Sequence, residues 1–134
     1  MTMMRFRAPA ALLSIAAVTT SMMMIPPASA TDTDGAKLFK TRCGACHWDP
    51  HAAGEKPRLG PSLSGLSGRT AGTTDFKRYS KAMKASGIVW EPESLNAYLE
   101  NPRKTVPGTT MAFPGLKKPN RRAAVVSYVL DAGK

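Results

Sequence analysis

Apolar residues fall at helical spacing in only a few short stretches of this chain, and the intervals between them have no period. Asp32-Thr33-Asp34 offers side-chain caps for a helix running to about Arg42, with acids at its positive end and Leu38 and Phe39 facing inward. A short helix is predicted over Ser80 to Ala85, stopped by Gly87. Pro92 suits a first helical turn; Leu95, Tyr98 and Leu99 then share one face, and Asn101-Pro102 closes the element. Asn120 can cap a last helix carrying Ala124, Val125, Tyr128, Val129 and Leu130. No segment alternates as a strand does, so the class expected is all-α.

Two long irregular segments separate these helices. Trp48 to Thr74 is rich in Gly, Pro, Ser and Thr, and a second loop is expected from Arg103 to Pro119. A structureless run as long as the first is unusual in a compact domain. It makes sense where the loop wraps a cofactor that supplies the missing core.

The first thirty residues read as something other than fold. Arg5 and Arg7 form a positive start, Ala8 to Ile25 is apolar, Pro26 and Pro27 break any helix, and Ala28-Ser29-Ala30 supplies a cleavage site. The division expected is a cleaved secretory signal over 1–30 and one small domain over 31–134, the competing reading being an uncleaved membrane anchor. The whole chain has 19 Lys and Arg against 9 Asp and Glu, a net charge of +10. An exported protein rarely meets nucleic acid, which leaves the acidic face of another protein as the expectation.

The candidate chemistry lies in Cys43-Gly44-Ala45-Cys46-His47, which holds the chain's only two cysteines. This spacing is the attachment signature of a c-type haem: two thiols for thioether bonds and an adjacent imidazole as axial ligand. An electron carrier needs a second ligand, and His51, Met83 and Met111 are the candidates. His51 is too close to His47 in sequence to reach the other face readily, and Met83 falls in a predicted helix, where methionine is usually core. Met111 lies in an irregular loop after Pro107-Gly108, whose turn lets backbone approach the ring. A soft, neutral thioether favours Fe(II) and raises the reduction potential. A thiol–disulfide module would need a βαβ setting, and a structural zinc site would need more ligands than two Cys and two His at this spacing provide.

Phe39, the Cys43–His47 motif, Gly60-Pro61-Ser62-Leu63, Gly68-Arg69, Tyr79, Gly87-Ile88-Val89-Trp90, Tyr98-Leu99-Glu100-Asn101-Pro102, Pro107 to Phe113 and Tyr128 occur in one collinear order. In that order and spacing the chain resembles a class I cytochrome c, in particular the bacterial cytochrome c2 and mitochondrial-type branch. The resemblance implies three main helices plus a short one, wrapped with long loops around one covalent haem c. It implies that Cys43 and Cys46 carry the thioethers, that His47 and Met111 bind the iron, and that Pro61 offers its carbonyl to the His47 ring. Arg69, Tyr79, Trp90 and Thr109 match residues that hydrogen-bond the haem propionates, and Tyr98 matches one near the methionine sulfur. Phe39 and Tyr128 match a contact between the first and last helices.

The implied function is a monomeric periplasmic electron carrier, not an enzyme, with no stable membrane insertion once the signal is removed. Implied partners are a bc1-type complex, a terminal oxidase, a photosynthetic reaction centre or a dehydrogenase of a respiratory chain. Lys37, Arg42, Arg103, Lys104, Lys117 and Lys118, with Lys56 and Arg58, correspond to a basic ring that would steer such encounters. The competing function is a haem enzyme or sensor with a labile sixth ligand, such as a peroxidase. The chain departs from the family pattern in a segment between His47 and Pro61 about two residues longer than in mitochondrial members. It departs also in Thr110, where a lysine is common, and in Met83, where a polar residue occurs.

Overall fold

The computed structural model describes residues 33–56 and 58–133. The expected signal segment, 1–30, lies outside them. Five helices follow one another: α1 (Gly35–Arg42), α2 (Lys81–Ala85), α3 (Pro92–Glu100), α4 (Pro102–Thr105) and α5 (Pro119–Asp131). No strand forms among the described residues; a single antiparallel bridge joins Thr70 and Val89.

The helix ends follow local chemistry. Asp34 caps α1 by accepting from the Lys37 N–H at 3.1 Å, and Ser80 caps α2 by accepting from the Met83 N–H at 3.0 Å. Pro92 opens α3 at a position where a missing N–H costs nothing. Two boundaries differ from the sequence expectation. The 103–119 segment begins with the short helix α4, because Asn101 both ends α3 and accepts from the Lys104 N–H at 3.2 Å, with Pro102 opening the new turn. The last helix starts at Pro119 with Lys118 as its cap residue, so Asn120 lies inside it. Proline needs no N–H partner there, and that outweighs the capping preference of asparagine. The helices are therefore three main ones and two short ones.

α1 crosses α5 closely, and α5 also packs on α3. The crossing is made possible by Gly35. A Cβ there would meet the Ala124 carbonyl oxygen and lie 2.9 Å from the Tyr128 Cβ. Phe39, 1% exposed, fills the adjoining space with its ring centroid 5.6 Å from that of Tyr128. Gly35→Ala is expected to destabilise the holoprotein by about 1–3 kcal/mol through this overpacking, read as a lower urea midpoint; an unchanged midpoint would show that the helices can separate freely.

The two long loops close over the helices. Residues 68–71 are held against 88–90 by three backbone bonds: Gly68 N–H to Trp90 C=O (2.9 Å), Trp90 N–H to Arg69 C=O (3.0 Å) and Ala71 N–H to Ile88 C=O (2.7 Å). That pairing fixes Trp90 and Arg69 on facing segments.

Candidate functional site

The core is built around a cavity of about 570 Å³, within the roughly 300–1,000 Å³ usual for ligand sites. Phe39 of α1, Leu95 and Leu99 of α3 and Val125 and Val129 of α5 belong both to the buried core and to the cavity wall. The inward faces of all three main helices are thus turned toward this space.

All ten residues singled out from the sequence line it: Cys43, Cys46, His47, Pro61, Arg69, Tyr79, Trp90, Tyr98, Thr109 and Met111. The first three come from a tight turn continuing α1. The Cys43 and Gly44 N–H groups bond the Phe39 carbonyl at 2.8 and 2.9 Å. The Cys46 and His47 N–H groups then bond the Cys43 carbonyl at 3.0 and 2.9 Å. The winding places both thiols and the imidazole at one cavity wall. Burial, with Cys46 adding to it, pushes the Cys43 thiol up to about 11. It is therefore a thiol at neutral pH, not the low-pKa thiolate of a disulfide-exchange site.

The buried His47 ring is held from behind. Its Nδ1 lies 2.9 Å from the Pro61 carbonyl oxygen. Burial pushes its pKa below the ordinary histidine value, and the Pro61 carbonyl pulls weakly the other way. A neutral ring donating Nδ1–H to that carbonyl has its Nε2 lone pair free as a ligand. Pro61 suits the role because its ring stiffens the carbonyl. Gly60 lets the segment pass flat under the imidazole, since a Cβ there would run into the ring, 2.7 Å from Nδ1. Gly60→Ala is expected to tilt His47 and destabilise the holoprotein by about 1–3 kcal/mol, with a shifted reduction potential measured by redox titration. Unchanged potential and stability would mean that the ring is not fixed by this packing.

Met111 lies on the second long loop. Its N–H bonds the Thr109 hydroxyl oxygen at 3.3 Å, and the Thr109 and Tyr98 hydroxyls share a bond of 2.9 Å. Burial pushes the Tyr98 hydroxyl pKa upward, with Thr109 opposing. The other polar groups are likewise engaged. Arg69 donates from its terminal nitrogens to the carbonyls of Ser62 (2.8 Å) and Ser64 (3.0 Å). Tyr79 pairs its hydroxyl with that of Thr74 at 2.9 Å, and the Trp90 ring packs on Tyr98 with centroids 5.2 Å apart.

These donors fit a haem c. Two thiols, a neutral imidazole with one nitrogen tied and one free, and the Met111 thioether share one largely apolar cavity with Arg69 and the Tyr79, Tyr98 and Thr109 hydroxyls. The competing ligand candidates sit elsewhere or act otherwise. Met83 is buried in α2 and forms cavity wall. His51 lies outside the cavity: its Nε2 donates to the Tyr128 carbonyl at 2.7 Å, and its ring stacks on Tyr128 with centroids 4.4 Å apart. Tyr128 in turn donates to the Asp49 carboxylate at 2.8 Å, so the lengthened segment after His47 is strapped to α5.

The rim was only partly legible. Arg42 lines the mouth, as the sequence suggested, but Arg78 and Leu59 do so too. Leu59 is 66% exposed. Arg58 lies over the Trp48 ring, 5.2 Å from its centroid, and Arg78 donates to the Arg58 carbonyl at 2.7 Å. Phe76 also joins the wall, edge-on to Tyr79. No periodicity marks these residues, because nothing local in an irregular loop records which way it folds.

Comparison with known proteins agrees with this geometry. Residues 33–133 match the cytochrome c family model. The chain is 50% identical to cytochrome c of Guizotia abyssinica over 95 residues, covering 71% of this chain and 84% of that one. It is 46% identical to cytochrome c of Gossypium barbadense over 112 residues, covering 84% and 97%. Its fold is similar to that of cytochrome cH from Methylobacterium extorquens, with TM-score 0.65 and 37% identity over 73% of this chain and 95% of that one.

Proposed function

This chain belongs to the cytochrome c family, and from that premise we propose that it works as an exported carrier that shuttles single electrons between membrane-bound redox complexes. It is a haem electron carrier with one covalent haem c, and it catalyses no bond chemistry of its own. The haem supplies the one-electron couple. Cys43 and Cys46 would tether it, His47 and Met111 would bind its iron, and Pro61 would fix the His47 tautomer. Arg69, Tyr79, Trp90 and Thr109 would supply hydrogen bonds to its propionates, and Tyr98 steadies the Met111 loop through Thr109. The observation that carries this reading is that His47 and Met111 line one cavity, the imidazole tied at Nδ1 by Pro61.

Absorption spectra of the purified protein test it. A sharp reduced α-band with a weak far-red sulfur-to-iron band in the oxidised form is expected. A high-spin reduced spectrum without the far-red band would favour the peroxidase-like alternative. His47 is the only histidine among the described cavity residues, which leaves that alternative without a distal imidazole.

Export is proposed from the Arg5/Arg7, apolar and Ala28-Ser29-Ala30 pattern, which places the carrier in the periplasm; the mass of the secreted protein tests cleavage after Ala30. Arg42 and Arg78 line the cavity and are exposed, as are Lys56, Arg58, Lys117 and Lys118, and we propose these basic side chains as the docking surface for acidic redox partners. A monomer with transient partners is the arrangement this suits. The bimolecular electron-transfer rate with a terminal oxidase is expected to fall on the order of tenfold from low to physiological ionic strength. A salt-independent rate in stopped-flow measurements would remove the charge argument.

A further inference from the structure

One buried charge has no part in the chemistry described so far. Arg122 is 6% exposed, on the first turns of α5. The positive end of a helix dipole is a poor place for a guanidinium, and burial of one is costly unless its donors are all met. What meets them lies off its own helix. Nη1 donates to the Leu116 carbonyl at 2.8 Å and to the Lys117 carbonyl at 3.3 Å. Nε donates to the Asn96 side-chain oxygen at 2.8 Å, and Nη2 lies 3.7 Å from the Glu100 carboxylate.

Leu116 and Lys117 end the loop that carries Met111. The same stretch is docked on the last turn of α3, whose carbonyls lack helical partners: Leu116 N–H to Leu99 C=O and Lys117 Nζ to Glu100 C=O, both 2.7 Å. Near Met111 itself the loop is held by Thr109 and Tyr98. The far end is held by these two bonds to Leu99 and Glu100 and by one buried guanidinium that joins α5, α3 and the loop. A carboxylate pair alone would not account for it, since Glu100 is mostly exposed while the bond to the Leu116 carbonyl is short and buried.

We propose that Arg122 is a positioning residue for Met111: by anchoring the end of the 106–118 loop to α3 and α5, it sets how firmly the thioether is held over the cavity. This rests on the assignment of Met111 as an iron ligand. With the anchor weakened, the loop can lift as a local unit while the crossing of α1 and α5 stays packed. Removal of Arg122 thus separates detachment of Met111 from unfolding of the helices.

The test is a urea titration of the oxidised holoprotein, following the far-red sulfur-to-iron band and the helical circular dichroism on the same samples. In Arg122→Gln, the band is expected to disappear at lower urea than the helix signal. The ratio of detached to attached Met111 at a fixed urea concentration below helix unfolding should rise roughly tenfold over wild type. Arg122→Lys, which keeps one donor for the Leu116 carbonyl, should recover part of it. Asn96→Ala removes one acceptor on α3 and leaves the charge in place; it gives the same separation to a smaller degree and serves if Arg122→Gln fails to fold. A purely structural role would move both signals together in every variant, and that result overturns the proposal. Absence of the band in wild type would instead sink the Met111 assignment, and the positioning role with it.

Discussion

A Cys43→Ala, Cys46→Ala variant expressed without haem attachment is expected to lose most of its helical signal and its cooperative melt. The reason is the size of the space the helices enclose. In protein cores an unfilled cavity costs roughly 24 cal/mol per Å³. At that rate the cavity of about 570 Å³ would cost up to about 14 kcal/mol, the upper figure because its mouth opens to solvent. Native domains have about 5–15 kcal/mol in all. Phe39, Leu95, Leu99, Val125 and Val129 would face one another across a gap with nothing to pack on. Folding and haem attachment are thus coupled, as metal binding and folding are in small metallo-domains. Circular dichroism with a thermal scan checks this; a sharp, reversible transition in the double variant would show that the helices α1, α3 and α5 hold each other without the cofactor.

Met111→Ala is expected to abolish the far-red band and to lower the reduction potential by a few tenths of a volt, within the about 0.8 V that axial ligands span. Bound to the iron as proposed, the Met111 thioether would stabilise Fe(II), and the cavity's other thioether, Met83, is buried within α2. Thr110 and Ala112 carry no soft donor, and the second histidine is held by Tyr128 on the far side of α5's contact with the loop. The variant should bind cyanide readily where the wild type does so weakly. Spectroelectrochemical titration gives the potential, and an unchanged value with an unchanged band would reassign the sixth ligand. The fold should survive, because Met111 is only partly buried and the loop keeps its Thr109, Leu116 and Arg122 contacts.

Helix existence was readable because capping and facial periodicity are local. Asp34, Ser80 and Pro92 act within three residues of themselves, and the structure puts α1, α2 and α3 where those signals point. The Asn101-Pro102 pair was readable as a stop but not as a new start, since the same residues serve both ends. Cysteine spacing disclosed the attachment chemistry for a similar reason: two thiols and an imidazole within five residues can act on one group in almost any turn. Met111 required elimination among three candidates. Arg122 is a charge at the positive end of a helix, a local conflict that its tertiary contacts override.

The sequence by itself determined every helix but α4, the cofactor and the family to which the chain belongs, because caps, periodicity and motif spacing are written in neighbouring residues. Only the tertiary structure decided that Leu59, Phe76 and Arg78 join the cavity wall, where His51 goes, and that Arg122 ties the Met111 loop to two helices. Those pairings join residues far apart in the chain. They depend on how irregular backbone satisfies its hydrogen bonds around a shared interior, and that information resides in the packing rather than in any one segment.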